Sequence, residues 1–269
     1  MNFYTNVLQY GNSILVREVR NGERTTRRVK YEPTLFDLVK TREETGYKTL
    51  DGKSVLPHHF HSIKEAKQWV ADRENQDIIY GNTQYPYCWI ADEFPKQVGW
   101  DLDQMLMYTI DIEVECENGF PKPEDAAEPM LSITIKNFQT GFINVWGIGE
   151  FTTNRNDVKY IQCESEVHLF KEFLAFWENN TPDIITGWNT EFFDIPYLVN
   201  RIRNVFDDDE TKRLSPWKNV FAREVYKMGR THQSYTLDGI SALDYLDLYK
   251  KFTYTNQERY TLDHIAFVE

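Results

Sequence analysis

Two acidic residues interrupt an apolar, β-branched segment of this sequence. Asp111 and Glu113 stand two residues apart within residues 107–114, whose other members predict a buried β-strand. Because alternate residues of a strand point to the same side, both carboxylates are expected on one face. Left unpaired in apolar surroundings, such charges would cost on the order of several kcal/mol. A divalent cation would pair with both, and Mg²⁺ prefers a few carboxylates together with water and phosphate oxygens.

Two other interpretations of this pair stay open from its spacing alone. One of the acids could reach solvent at the end of the strand and do no chemistry. The pair could also serve a glycosidase, which needs two carboxylates on facing positions. Neighbours on one strand would, however, be an unusual way to flank a sugar bond.

A third acid, Asp194, opens a predicted helix over residues 194–206, with Pro196 near its first turn. The helix follows residues 183–188, which predict a short strand running into a turn. In an α/β sheet this order places Asp194 at the carboxyl end of the strands, where active sites collect. The alternative is that Asp194 is the N-cap of the helix, a common role for this residue type.

The elements that must position these acids form two groups. Residues 4–19 predict two strands, followed by a hairpin turn at Asn21-Gly22, and a helix is predicted to start after Ser62 with Glu65 in a capping box. A domain boundary is expected near residue 105. From residue 107 the predicted order is strand, two strands, helix, strand and helix, with the first helix over residues 164–180. This order indicates an α/β fold (α+β overall), in which a mixed β domain precedes a domain with a mixed central sheet.

Composition narrows the class of protein without showing its chemistry. The chain has 269 residues, of which 41% are hydrophobic, and this is typical of a folded globular protein. Its formal charge of −12 argues against a simple DNA-coating protein, because phosphate binders are usually basic. A nuclease is compatible with that charge, since its carboxylates hold cations. The three cysteines form no CxxC pair, which favours a reducing compartment, and neither a signal peptide nor a membrane span is expected.

Several short motifs resemble those of a known family of replication enzymes. The pattern Asp111-Ile112-Glu113, with Asn189-x-x-x-Phe193-Asp194 further along, is similar to the first two exonuclease motifs of family B DNA polymerases. Three more segments look like the T-even-type phage members: Gly119-Phe120-Pro121, Leu214-Ser215-Pro216 and the block from Gly239 to Phe252. The resemblance covers essentially the whole chain, more loosely at its start. It implies a polymerase N-terminal domain at residues 1–105 and a ribonuclease-H-like 3′→5′ exonuclease domain, truncated at its C-terminus, at residues 106–269.

The resemblance also implies roles for the three acids. Two Mg²⁺ ions, for which Mn²⁺ can substitute, would bind the scissile phosphate at the single-stranded 3′ end of primer DNA. Asp111 would bridge both ions, Glu113 would hold the ion that activates the attacking water, and Asp194 would hold or orient the second. The ions would lower the pKa of the water and stabilise the leaving 3′ oxygen.

Contacts to DNA are implied in the same way. Phe120 would stack on an unpaired base, while Asn189 and Phe193 would shape the pocket around the terminal nucleotide. Residues 225–231 resemble the hairpin that separates the primer end, with Arg230 near its tip. A plain surface hairpin is an equally good interpretation of that segment.

The resemblance further implies that one part of the site is missing. The family's third motif, Tyr-x-x-x-Asp on a late helix, is expected beyond residue 269; Asp244, Asp247 and the pair Tyr260 and Asp263 do not match it. The isolated chain is therefore expected not to polymerise and to be weak or inactive as a nuclease. Both a split gene and a truncated reading frame would produce such a chain.

The implied partners are the remaining polymerase chain or domains and, through regions absent from this sequence, a sliding clamp. The implied location is the cytoplasm of an infected bacterium, with no membrane contact. Two rival functions are a non-catalytic module that binds single-stranded nucleic acid or a polymerase chain, and a stand-alone ribonuclease-H-like nuclease. The second rival would need a fourth acid. The cluster His58, His59 and His61 is interpreted as having no metal, and residues 207–210 as a solvated loop or helix start.

Overall fold

The computed structural model of the protein describes residues 2–39, 45–117, 119–227 and 229–269. The chain divides into two compact units, Met1–Asp101 and Leu102–Glu269. The division falls a few residues before the boundary predicted near residue 105. Within the described ranges, no helix has both the length and the apolar character needed to cross a bilayer.

In its described residues, the first unit contains two antiparallel sheets and two α-helices. A three-stranded meander is followed by a four-stranded sheet with the order β5-β6-β4-β7. The turn after β2 has positive φ angles at Asn21 (53°) and Gly22 (85°), as an Asn-Gly hairpin requires. The elements are β1 (Asn2–Tyr10), β2 (Ser13–Arg20), β3 (Glu23–Lys30), β4 (Thr34–Leu38), β5 (Tyr47–Lys48), β6 (Ser54–His59), α1 (Ile63–Ala71), β7 (Ile79–Tyr80) and α2 (Tyr85–Glu93).

Helix α1 begins where its sequence predicts. The hydroxyl of Ser62 accepts a hydrogen bond from the Glu65 N–H at 3.1 Å, and the Glu65 carboxylate accepts one from the His61 N–H at 2.8 Å. These bonds satisfy N–H groups that a helix start would otherwise leave unpaired. Inward-facing apolar side chains, among them Ile14 and Ile63, then form a core of their own in this unit.

The second unit contains a six-stranded mixed sheet with the order β11-β10-β9-β8-β12-β15. The strands from β8 to β10 are antiparallel, whereas β11, β12 and β15 each run parallel to a neighbour. The mixed α/β fold predicted from the sequence is thereby confirmed. The elements are β8 (Met107–Val114), β9 (Met130–Asn137), β10 (Ile143–Ile148), β11 (Val158–Cys163), α3 (Glu166–Asn179), β12 (Ile184–Gly187), α4 (Asp194–Val205), α5 (Asp208–Thr211), β13 (Val220–Lys227), β14 (Arg230–Leu237), β15 (Ser241–Asp244), α6 (Tyr245–Phe252) and α7 (Leu262–Val268).

Strand β11 has no counterpart in the sequence prediction. It lies at the edge of the sheet, where Lys159 and Gln162 remain exposed. Such polar residues protect an edge against further pairing, and they also weaken the apolar signal by which a strand is recognised.

The core of the second unit determines which way β8 faces. Tyr108, Ile110 and Ile112 of β8 are buried, and they join the core to which α3 contributes Phe173 and Trp177. Alternation then turns the intervening residues of β8 to the opposite face.

Candidate active site

Strand β8 presents its two acids on the face opposite the core. Asp111 and Glu113 are exposed residues of β8, paired in register with Thr134 and Ser132 of β9. Ile112 between them is buried. The side-by-side placement expected from their spacing is therefore present, while the neighbouring apolar residues anchor the strand.

Asp194 reaches the same strand from the start of α4. Its side chain is only 4% exposed, and its Oδ1 accepts a hydrogen bond from the Ile112 N–H at 3.2 Å. Strand β12 pairs with β8 only as far as Thr109, so this N–H lies beyond the paired stretch. The alternative interpretation of Asp194 as an N-cap is wrong, because Phe193 occupies the N-cap position and no side chain caps this helix.

The surroundings of Asp194 and Asp111 disfavour the charged forms of both acids. Burial is the main cause that raises the pKa of Asp194 to about 7; the nearby charges of Asp111 and Asp244 contribute to this rise, and N–H groups of the backbone oppose it. Although Asp111 is exposed, the surrounding protein partly desolvates its carboxylate, and this raises its pKa above the ordinary value. Among the described residues, no Lys, Arg or His forms an ion pair with Asp111, Glu113 or Asp194. These three residues, here called the acidic cluster, therefore lack a positive partner within the described part of the chain.

The donor chemistry of the acidic cluster fits a hard divalent cation. Within the described ranges, no three His, Cys, Asp or Glu side chains are already gathered around one point as a ready metal cage. Mg²⁺ does not need such a cage, because it keeps several waters and takes one or two carboxylates plus substrate phosphate oxygens. Asp111 and Asp194 offer this kind of ligand, and a cation between them would relieve the repulsion that raises the pKa of Asp194.

The four side chains predicted to contact DNA line one cavity of about 440 Å³. Phe120 is 81% exposed, and its ring lies 5.4 Å from that of Phe193. Asn189 and Arg230 line the same space. Of the further lining residues, five are cationic or aromatic, namely Lys122, Phe192, Lys227, His232 and Lys250, and the others are Pro121, Pro123, Glu124 and Leu246. This cavity is here called the basic cleft.

The wall of the basic cleft is the hairpin of β13 and β14, whose register pairs Lys227 with Arg230 at its closed end. Lys227 donates hydrogen bonds to both carboxylate oxygens of Asp247 at 2.6 and 2.7 Å, and its ammonium lies 4.7 Å from the centre of the Phe192 ring. Arg223 of β13 forms an ion pair with Glu191. The hairpin is thus held to both α6 and the loop before α4. Met228, at the turn of the predicted hairpin, lies outside the described residues.

Asp111 lines a second cavity, of about 570 Å³, and not the basic cleft. Its lining is mainly apolar and includes Phe138, Trp188, Leu243 and Leu262. None of the four predicted DNA contacts lines it. Asp111 and Asp194 therefore lie near each other, whereas the predicted DNA contacts lie together in the basic cleft. Residues 189–194 connect the two groups.

The acids that failed to match the third motif have other contacts. Asp244 caps α6 by accepting the Leu246 N–H at 2.9 Å, Asp247 holds Lys227, and Asp263 is exposed in the first turn of α7. A literal Tyr-x-x-x-Asp, overlooked in the sequence reasoning, occurs at Tyr47 and Asp51. It lies in β5 and the following turn rather than on a helix.

The histidine cluster has ordinary partners. His58 lies 3.2 Å from an oxygen of Asp37, which also accepts from Arg73, and the His59 ring is hydrogen-bonded to the Thr34 hydroxyl. Across the described residues no metal-binding group includes it.

Comparison with known proteins assigns the chain to a family. Residues 76–265 match the model for the exonuclease domain of DNA polymerase family B. The chain is 34% identical to the DNA-directed DNA polymerase of Escherichia phage RB69 and 32% identical to that of Enterobacteria phage T4, over 99% and 98% of its length. It is also 29% identical, over 66% of its length, to the DNA polymerase catalytic subunit of Human herpesvirus 6B.

The chain spans about a third of the length of the two phage relatives, 33% and 32% respectively. The family match covers most of the chain, and the phage relatives align with nearly all of it. The protein therefore belongs to the family B DNA polymerases of the T-even phage type and carries the exonuclease domain of that family.

Proposed function

We propose that this chain is the N-terminal part of a DNA-directed DNA polymerase of viral DNA replication, and that its acidic cluster belongs to a two-metal 3′→5′ proofreading exonuclease. Residues 1–105 would form the polymerase N-terminal domain, and residues 106–269 the exonuclease domain. The proposal depends on one observation. Buried Asp194 lies near Asp111, and the described residues supply neither acid with a positive partner. Family B exonuclease domains generally depend on divalent metals, and this chain has that domain.

Each acid has a distinct task in this proposal. Asp111 would contact both cations, Glu113 would hold the cation on the water side, and Asp194, whose Oδ1 accepts the Ile112 N–H, would hold the other. Two Mg²⁺ ions, or Mn²⁺ in their place, would lower the pKa of the attacking water and stabilise charge on the leaving 3′ oxygen. Because its pKa is about 7, Asp194 gives up its proton readily when a cation replaces it.

The basic cleft would hold the single-stranded 3′ end of the primer. Phe120 and Phe193 offer adjacent rings on which a base can stack, and such stacking tolerates any base. Asn189 would contact the terminal nucleotide. Arg230 lies at the closed end of the hairpin and would neutralise a phosphate. A local basic surface of this kind is compatible with an acidic chain.

We further propose that the isolated chain does not polymerise and hydrolyses DNA weakly. Only three acids are assigned to metals, and the resemblance implies a fourth ligand and a tyrosine from a third motif. The test is Mg²⁺-dependent release of nucleotides from 3′-labelled single-stranded DNA, with Asp111→Asn as the control. Slow release that disappears in Asp111→Asn supports the proposal. Turnover equal to that of a complete family B polymerase would overturn the claim of weakness, and release unaffected by Asp111→Asn would overturn the site itself.

A non-catalytic module is the second candidate, favoured by the basic cleft, which could bind single-stranded DNA without any turnover. Mixing the chain with the remaining polymerase chain separates the two candidates. Rescue of hydrolysis that depends on Asp111 of this chain supports the exonuclease, whereas tight association without rescue supports the module. The proposed site of action is the cytoplasm of the infected host, and contact with a sliding clamp is proposed for the rest of the polymerase.

A further inference from the structure

The loop that joins the acidic cluster to the basic cleft is held in an unusual backbone conformation. Asn189 has a φ of 63°, in the left-handed region, and its carbonyl accepts the N–H groups of Phe192 at 3.2 Å and Phe193 at 3.0 Å. At the base of the loop, a Cβ added to Gly187 would lie 2.6 Å from the Ile110 carbonyl oxygen and would also meet Thr190 Cγ2. The loop therefore packs directly on the backbone of β8, one residue before Asp111.

Asp244 holds this loop with more hydrogen bonds than a helix cap needs. It ends β15, in register with Gly187, and its Oδ1 accepts the Leu246 N–H that caps α6. The same carboxylate accepts the Asn189 N–H at 3.1 Å on Oδ1 and the Glu191 N–H at 2.9 Å on Oδ2. One bond would serve the cap, whereas the other two reach back more than fifty residues to the loop.

We propose that Asp244 is a positioning residue of the exonuclease, an inference that rests on the proposed function. Its two long-range bonds fix the left-handed turn at Asn189, and this turn sets where α4 begins. The start of α4 in turn directs Phe193 into the basic cleft and Asp194 onto the Ile112 N–H. One carboxylate thereby sets the distance between the place where a base stacks and the place where cations bind.

The same loop also positions the hairpin. Glu191, whose N–H is held by Asp244, forms an ion pair with Arg223 of β13. Releasing the loop would therefore loosen one attachment of the wall that carries Lys227 and Arg230. The effect of Asp244 on DNA binding is expected to exceed that of a single lost contact.

Two substitutions separate the cap from the loop. Asn and Ser are both good N-cap residues, so Asp244→Asn and Asp244→Ser preserve the start of α6. Asn lacks the second acceptor oxygen for the Glu191 N–H, and Ser is too short to reach the loop. Asp207, which caps α5 by accepting the N–H groups of Asp209 and Glu210, supplies the matched control Asp207→Ser.

The experiment uses the full chain and two probes: Mn²⁺ alone, followed by water-proton relaxation, and a fluorescent single-stranded oligonucleotide with a free 3′ end, in EDTA. Both Asp244 variants are expected to unfold at nearly the wild-type temperature but to bind each probe about 10-fold more weakly. This value is the lower end of the range seen when a residue that supports a metal ligand is replaced. Asp207→Ser is expected to leave both affinities unchanged. Loss of the Asp244 charge, which acts on Asp194, would by itself weaken Mn²⁺ binding only, and a role limited to the cap would leave the oligonucleotide affinity at the wild-type value.

Wild-type affinity for the oligonucleotide in the two Asp244 variants would overturn the inference, whatever the Mn²⁺ affinity, while leaving the proposed function standing. Failure of the wild-type chain to bind either probe would overturn both. If Asp244→Asn unfolds, Asp244→Ser decides the matter. Unfolding of both variants would overturn the separation of cap and loop on which the inference depends.

Discussion

The acidic cluster and the basic cleft are neighbouring parts of one proposed site, yet they are built in different ways. The acids come from one strand and one helix start, anchored by a buried core that includes Ile110 and Ile112. The cleft is lined by loops and a hairpin, and its walls are joined by partly exposed ion pairs such as Lys227–Asp247. Exposed pairs contribute only about 0–1 kcal/mol each. The acids of the proposed chemistry are therefore held by a buried core, whereas substrate positioning depends on a few weak attachments.

The largest expected effect concerns the stability of the acidic cluster without metal. The pKa of Asp194, about 7 in the folded chain, lies above its ordinary value of 3.8. Its protonated form therefore stabilises the fold fully below about pH 4, and this contribution is lost as the pH rises through about 7. In EDTA near pH 8, Asp194→Asn is expected to raise the free energy of unfolding, by at most roughly 4 kcal/mol.

Urea unfolding of wild type and Asp194→Asn, near pH 5 and near pH 8, measures this effect. The gain from the substitution is expected to shrink by more than half at the lower pH, because wild-type Asp194 is then largely protonated. Asp263→Asn, at an exposed acid of α7, is the control. If the gain in the free energy of unfolding does not depend on pH, the charge of Asp194 does not destabilise the fold.

The next effect is on catalysis. Asp111→Asn retains the shape of the side chain but removes the charge proposed to contact both cations. The residual Mg²⁺-dependent hydrolysis is expected to fall by about 100-fold or more, equivalent to roughly 3 kcal/mol. Stability should be unchanged or improved, since partial desolvation by the surrounding protein already disfavours this charge. Steady-state release of the 3′ nucleotide measures the first quantity and thermal unfolding the second; a parallel loss of both would point to a structural role.

Much of the acidic cluster could be predicted from the sequence, because its geometry follows from local rules. Alternation along residues 107–114 predicts that Asp111 and Glu113 share a face, and the strand-turn-helix order predicts where Asp194 lies. The bond from Ile112 to Asp194 has no local signal, since it joins residues 82 positions apart. Strand β11 was missed for a related reason, because its polar edge residues conceal its alternation.

The basic cleft was predicted only in part. Resemblance supplied Phe120, Asn189, Phe193 and Arg230, and these do line one cavity. Lys122, Lys227 and Lys250 could not be found by spacing, because three separate segments bring them together. Asp244 was considered only as a poor match to the third motif. Its position just before an amphipathic helix signals the cap, but its bonds to the loop depend on tertiary structure.

Within the basic cleft, an aromatic side chain is expected to contribute more to the free energy of DNA binding than a charged one. Phe120→Ala should weaken binding of a single-stranded 3′ end by about 1–3 kcal/mol, the usual range for one stacked base. Phe138, which is 62% exposed and lines the apolar cavity instead, supplies the control Phe138→Ala. Fluorescence anisotropy in EDTA measures both. Equal losses for the two variants would mean that the DNA does not discriminate between the two cavities.

The smallest effect is expected for a single cleft cation. Arg230→Ala should lower affinity modestly and reduce the slope of log affinity against log salt by about 0.7, the value for one phosphate of a single strand. Arg155→Ala, at an exposed ion pair with Asp157, is the control and should leave the slope unchanged. A salt titration of oligonucleotide binding measures the slope. An unchanged slope for Arg230→Ala would remove the hairpin tip from the proposed DNA path.

The most direct test of the central claim is anomalous scattering from crystals of the chain grown with Mn²⁺ and a short single-stranded oligonucleotide. Mn²⁺ is expected at the acidic cluster, bound by Asp111 and by Glu113 or Asp194, with the 3′-terminal base against Phe120. Mn²⁺ bound instead at His58 and His59 or along residues 207–210, with the acidic cluster empty, would contradict it.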